Sequence, residues 1–327
     1  MINEVRQTVL ALANKNNYGY ISRRDFNHFA RQAQLEIFKE YMYDYNTHID
    51  KQNKRVAVNA GVAKSIASNE DYANIAERKR QVIEIFSTLA PLGNATDGHV
   101  YDKPSDLYLL NKLFFYDTQK ASGTKESAVS ANKLVDPSLT GLSAFGNTAS
   151  AGDLVVNTDD NTLAFVVEVE SGTSLKITDN IFGSGALKYK IFNPTKYSEI
   201  EIQDPSQIFN LAASTLVNPS TMFPSCLMQA DNVIMYPNTI TNPGSVITQY
   251  VRNPKDPNWT GVTVTGAANP QEVFNASAAD FQDFELPKSE IPYLISKIAT
   301  LAGMSIRENQ FYKDTAALAG MNANEDR

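Results

Sequence analysis

Apolar residues three and four apart mark both ends of the chain, while short apolar or alternating runs mark its middle. Ile2, Val5, Val9 and Leu12 form one helical stripe that stops at Asn14-Lys15-Asn16-Asn17. A second helix begins after Ser22, which can cap it; Asp25 stands three residues on, and Ile21 can staple to Phe26. Its stripe runs Phe26, Phe29, Ala33, Ile37 and Tyr41, widened by Phe38, Met42 and Tyr45. A stripe that wide predicts contact with more than one neighbour. The spacing predicts a third helix over about residues 70–89, with Tyr72, Ile75, Val82, Phe86 and Leu89 inward and Pro91 and Gly93 ending it. Near the other end, Ser289 can cap a helix carrying Ile291, Leu294, Ile295, Ile298 and Leu301, with Gly303 as its stop. Ser305-Ile306-Arg307-Glu308 reads as a capping box opening a last helix through Phe311, Tyr312 and Leu318.

Between these ends, residues 107–110, 163–169, 186–192, 197–202, 233–236 and 246–251 read as strands separated by Gly, Pro, Asn and Asp. No helix of crossover length separates most of them, which predicts antiparallel pairing. Residues 119–151 are rich in Ser, Ala, Gly and Thr and read as a long surface loop or a hairpin arm. Neither end can bury its stripe alone, so the two are expected to pack together. The expected fold class is therefore α+β: a helical bundle from the N- and C-terminal segments with an inserted antiparallel β-rich domain. Residues 1–97 would be the N-terminal part of the bundle, 98–279 the β-rich domain, and 280–327 the helices and tail that return to the bundle.

Composition narrows the function classes. The 327 residues carry a formal charge of −7, and 43% are hydrophobic against 20% charged, which excludes a disordered polyelectrolyte. An acidic balance is a poor match to general DNA binding. No run approaches the roughly 20 apolar residues of a membrane span, so no membrane partner is expected. Met1-Ile2-Asn3-Glu4-Val5-Arg6 lacks the basic then apolar pattern of a secretory leader. Asn occurs 30 times, once more than Lys and Arg together at 29. A neutral hydrogen-bonding surface of this kind suits contact with other subunits, and equally a loop-rich β domain.

Candidate chemistry is thin. Asn14, Asn16, Tyr18, Ile21 and Asp25 fall on calcium-loop positions around Gly19, but two neutral amides, a Tyr and a short Asp make weak ligands beside Arg23 and Arg24. A capped αα-hairpin accounts for the segment better. Cys226 is the one cysteine and His28, His48 and His99 are scattered, so no metal site and no cofactor are expected. Asp159-Asp160 reads as a turn. Glu168, Glu170, Glu199 and Glu201 read as outward strand positions. No nucleophile motif, P-loop or zinc-protease motif is present, and no catalytic residue is assigned.

Several segments together resemble the ring, or head-to-tail connector, proteins of crAss-like and related tailed bacteriophages. They are Ala13-Asn14-Lys15-Asn16-Asn17-Tyr18-Gly19-Tyr20-Ile21-Ser22 with Asp25-Phe26-Asn27 and Gln32-Ala33-Gln34-Leu35-Glu36-Ile37-Phe38 at the start, and Pro104-Ser105-Asp106-Leu107-Tyr108 leading into the β region. Further on come Asn218-Pro219-Ser220-Thr221-Met222-Phe223-Pro224, Met235-Tyr236-Pro237, the run from Tyr250 through Trp259, and Leu301-Ala302-Gly303-Met304-Ser305-Ile306-Arg307. Pro104-Ser105-Asp106-Leu107-Tyr108 resembles the entry into the β domain of podovirus tail-tube adaptors, and Leu301 through Arg307 is similar to their last helical hairpin. The resemblance says little about residues 119–195.

That resemblance implies a non-enzymatic virion protein, made in the host cytoplasm. It would form a ring of identical subunits, commonly twelve, beneath the portal and joined to other tail rings, with DNA passing through unread. It also implies that the C-terminal segment docks on the portal or a neighbouring subunit, with Phe311, Tyr312 and Leu318 as interface residues; folding back on the bundle is the other reading. A lower tail ring or stopper, or a glycan-binding host-recognition module, are the alternative functions. The last would want clustered exposed Trp and Tyr, and Trp259 is the single Trp.

Overall fold

The computed structural model describes residues 1–14, 21–59, 75–94, 98–126, 132–183, 185–264 and 271–306. In chain order come helices α1 (Ile2–Asn14), α2 (Arg23–Asn59) and α3 (Ile75–Glu84), then strands β1 (Ser87–Pro91), β2 (Gly93–Asn94), β3 (Val100–Asp102), β4 (Leu107–Phe115), β5 (Gln119–Thr124) and β6 (Lys133–Val135). Helix α4 (Phe145–Thr148) precedes β7 (Leu154–Asn157), β8 (Thr162–Ser171), β9 (Ser174–Ile177), β10 (Lys188–Phe192) and β11 (Ser198–Gln203). Helix α5 (Pro205–Ala213) leads to β12 (Ser225–Met228), β13 (Asn232–Tyr236), β14 (Val246–Arg252), β15 (Gly261–Val264), β16 (Gln271–Phe274) and α6 (Ile291–Ile306). The chain divides into two compact units, one of Met1–Phe86 with Pro254–Arg327, the other Ser87–Asn253.

The second unit consists of two curled, half-barrel sheets. One has eight strands in the order β1-β14-β4-β11-β12-β13-β3-β2, the other six in the order β5-β10-β7-β8-β9-β6. Every neighbouring pair is antiparallel except β11 with β12. Parallel neighbours need a crossover, and α5 lies in that connection. Asp204 stands at its N-cap and Pro205 in its first turn, where a missing N–H costs nothing. Leu92, Tyr101, Leu113, Cys226, Met235 and Val246 belong to the buried core of the larger sheet. A separate core of the smaller sheet includes Leu134, Phe145, Val155, Val166, Tyr189 and Ile191. Tyr116, Leu154, Val156, Phe192 and Ile247 form a third cluster with residues from both sheets.

In the first unit, the α2 stripe is buried at Phe26, Ala33, Ile37, Phe38 and Tyr41, and α1 buries Ile2, Val5 and Val9. Helix α6 packs on both and buries Leu294, Ile298 and Ala302. Tyr293 donates its hydroxyl to Glu40 at 2.6 Å, and Lys297 reaches Glu40 at 2.5 Å. Phe38 meets Phe86 edge to face at 5.0 Å. Trp259, from the irregular stretch before the β15–β16 hairpin, is also buried here.

The fold class differs from the sequence expectation. The protein is mostly β-sheet with few helices, not a helical bundle with an inserted β domain. Two physical reasons explain the difference. The terminal helices meet one another, but they also bury Trp259 and the irregular segment around it, so their apolar faces do not define a bundle. The strand content was underestimated because several strands carry no apolar alternation. Strand β5 reads Gln-Lys-Ala-Ser-Gly-Thr, yet it pairs with β10 over its length. Residues 119–151 thus hold β5, β6 and α4 and supply Leu134 and Phe145 to a core, where a long surface loop or a hairpin arm is the expectation. The third helix ends at Glu84, and Leu89 lies on β1, paired with Gln249 of β14. Gly303 lies inside α6 rather than after it.

Gly123 tests the smaller sheet. A Cβ there would run into the Asp136 carboxylate and approach the Tyr189 hydroxyl at 2.8 Å. Gly123→Ala is expected to destabilise the protein by about 2 kcal/mol through overpacking. Gly146→Ala, on α4 with nothing within 4 Å, should be neutral or stabilising by up to about 1 kcal/mol. Chemical denaturation of both variants checks the pair.

Candidate functional site

The start of α2 and the irregular segment after Pro254 enclose an open groove of about 750 Å³. Local sequence explains its geometry. Ser22 Oγ accepts the Asp25 backbone N–H at 3.1 Å and donates to the Asp25 carboxylate at 2.6 Å, so the predicted cap is formed. That fixes the first turn of α2, and Arg23, Arg24, Asn27, His28 and Arg31 then line the groove at helical spacing. Asp256, Asn258, Glu272 and Asp280 face them from the other side.

These charges answer one another. Arg31 Nε lies 2.9 Å from Asp256, and both are exposed. Arg23 donates to the Gly261 carbonyl at 3.4 Å, and Asn258 donates to the Asp280 carbonyl at 2.6 Å and its carboxylate at 3.1 Å. Asn27 binds both Asn258 and the Trp259 backbone. Three Arg opposite three carboxylates leave no excess positive charge to hold an anion, and the lining offers no nucleophile beside a base. The groove is a polar seam, with exposed pairs worth little energy.

The other sequence candidates also resolve into structural roles. Asp159 accepts the Lys188 N–H at 2.7 Å, and Asp160 accepts from Asn157 at 3.0 Å, which completes a turn. Glu170 pairs with Lys133 at 2.7 Å, and that hydrogen bond holds its carboxyl below the usual range. Glu199 pairs with Lys112 across the sheet at 2.8 Å. Cys226 is buried, and desolvation pushes its thiol up to about 12. Among the described residues, no group of three or more His, Cys, Asp or Glu side chains is placed to hold a metal ion. No helix among them is long and apolar enough to cross a membrane. Of the calcium-loop positions, Ile21 is buried and Asp25 is bound to the Ser22 cap of α2, while residues 16 and 18 and the Asn14 side chain lie outside the described residues. Phe311, Tyr312 and Leu318 also lie outside them.

Two features went unread in the sequence. One is the buried Asp136, which accepts the Tyr189 hydroxyl at 2.7 Å, the Ser138 N–H at 3.0 Å and the Ser138 hydroxyl. Burial, with Asp136 beside it, raises the Tyr189 phenol well above its ordinary value. The partners sit far apart in the chain, so no local pattern points to them. The other is the connection between β11 and β12, where Phe209, Leu216, Val217, Met222 and Phe223 all stand exposed. Its signal was legible in composition: between Glu201 and Asp231 the single charged residue is Asp204. Compared with known proteins, the chain matches no family model and no curated protein.

At pH 8 the Cys226 thiol should be almost wholly protonated and sterically shielded. Maleimide is expected to leave the native protein unlabelled and to label it fully once denatured. Rapid labelling of the native chain would show that the β12 position is open to solvent.

Proposed function

We propose that this chain is a structural virion subunit that forms a homo-oligomeric connector ring beneath the portal of a tailed phage, joining head to tail without catalysing a reaction. The observation that carries this reading is the exposed apolar connection of residues 204–224, which needs a protein surface to cover it. The segment Asn218-Pro219-Ser220-Thr221-Met222-Phe223-Pro224, part of the resemblance to the connector family, lies on that connection. The net charge of −7 is consistent with a channel through which DNA slides, because phosphate would bind a basic lining and stall. Every carboxylate and cysteine weighed as chemistry has a packing, turn or pairing role, apart from Glu168 and Glu201 on the strands β8 and β11. A glycan-binding module is disfavoured because Trp259 is buried beneath Arg6 rather than displayed.

Removing the coding sequence from a phage that carries it should yield filled heads without tails. Mass spectrometry of complete particles should find the chain at a fixed ratio to the portal protein. Tailed, infectious particles formed without the chain would contradict the proposal.

A further inference from the structure

The connection from β11 to β12 leaves Phe209, Leu216, Val217, Met222 and Phe223 exposed by 64, 93, 59, 73 and 77%. Single exposed apolar residues need no explanation, but five large ones on one connection do. We infer that this connection is a self-association surface, covered in the assembled protein by a second copy of this chain. The inference rests on the assembly reading above and names the partner of that surface.

The connection is held in shape. Ile208 of α5 is fully buried and anchors its first half. The Ser214 hydroxyl accepts the N–H groups of Leu216 and Val217 at 3.4 Å each. Ser220 and Phe223 exchange backbone hydrogen bonds at 3.2 and 3.1 Å, which closes a tight turn under Met222. Its two ends are pinned to neighbouring strands by the β11–β12 pairing. An apolar surface fixed in advance loses little chain entropy when it is covered.

Area and charge select the occupant. The five side chains leave on the order of 600 Å² of apolar surface in water, close to the roughly 800 Å² per partner of a standard interface. Copies that each carry −7 repel one another, and a surface nearly free of charge lowers that repulsion where they meet. This connection meets that condition, with Asp204 as its one charged residue. Nucleic acid would require basic residues here. A lipid surface would be met by an apolar face flanked by Lys and Arg, and the connection has neither.

The test uses the full chain in sedimentation velocity at concentrations up to about 100 μM, with phosphatidylcholine vesicles in a parallel sample. A photo-cross-linking amino acid replaces Leu216 to report what lies against it. The expected result is concentration-dependent association, copy-to-copy cross-links from position 216, and association weakened about 100-fold by Met222→Asp with Phe223→Asp. The melting temperature of that variant should match the parent, since both side chains already face water. Leu142→Asp, at another exposed apolar position, should leave association intact. If the chain associates but the double variant associates equally, the inference falls and the assembly reading stands; if the cross-links go to lipid, the inference falls and the assembly reading loses the observation that carries it. A chain that stays monomeric with no copy-to-copy cross-link also overturns it, and the assembly reading is then judged on phage particles alone.

Discussion

The first unit depends on side chains that complete the hydrogen bonding of backbone groups which its strands leave unpaired. Many of the described residues from Pro254 to Leu286 lie outside strands and helices, yet Trp259 among them is bound to α1 and α2. Side-chain amides take the place of strand neighbours. Asn27 accepts the Trp259 N–H at 3.0 Å and donates to the Trp259 carbonyl at 3.3 Å. The buried Gln34 donates to the Lys255 carbonyl at 2.7 Å and accepts the Glu285 N–H at 3.1 Å. Asp283 accepts the Ile2 N–H at 2.7 Å, at the first turn of α1. Each amide satisfies two backbone groups, and at the buried Trp259 a group left unpaired would cost about 1–3 kcal/mol. Trp259 then sits with its indole N–H on Asn3 at 3.1 Å and its ring 3.9 Å beneath the Arg6 guanidinium. The two chain ends share a core because these polar groups make the segment between them buriable.

The second unit answers a different constraint. A sheet of hairpin-linked strands could stay antiparallel throughout, but β11 and β12 run parallel and force the chain out of the sheet and back. That excursion carries α5 and the exposed apolar side chains. A topological requirement has thus placed five large exposed apolar side chains on one connection. Its shortage of charge suits a neighbour of the same sign as itself.

Local and periodic features were legible in the sequence. The Ser22–Asp25 cap forms as read, because both partners lie within one turn. Phe26, Ala33, Ile37 and Tyr41 are buried as their spacing requires, and each of the six apolar runs of the middle region falls on a strand. What was not legible was set by distant partners. Asn27 and Gln34 look like solvent-facing helix residues until residues 255–285 lie against them. Strand β5 is held by pairing and by the close approach of Tyr189 to Gly123, neither of which shows in its own composition. Helical striping at both ends suggested a bundle because periodicity reports that a face is covered, not what covers it. The polar groove at the start of α2 was invisible for the same reason, since half of its lining comes from beyond residue 255.

In the proposed assembly, many copies of this chain close into a ring around a DNA channel. Electron cryomicroscopy of tailed particles, reconstructed first without imposed symmetry, tests it most directly. The account predicts a closed ring of identical copies coaxial with the portal, with Leu216, Met222 and Phe223 of each copy covered by its neighbour. A chain found as an isolated appendage, with residues 204–224 in solvent, would contradict it.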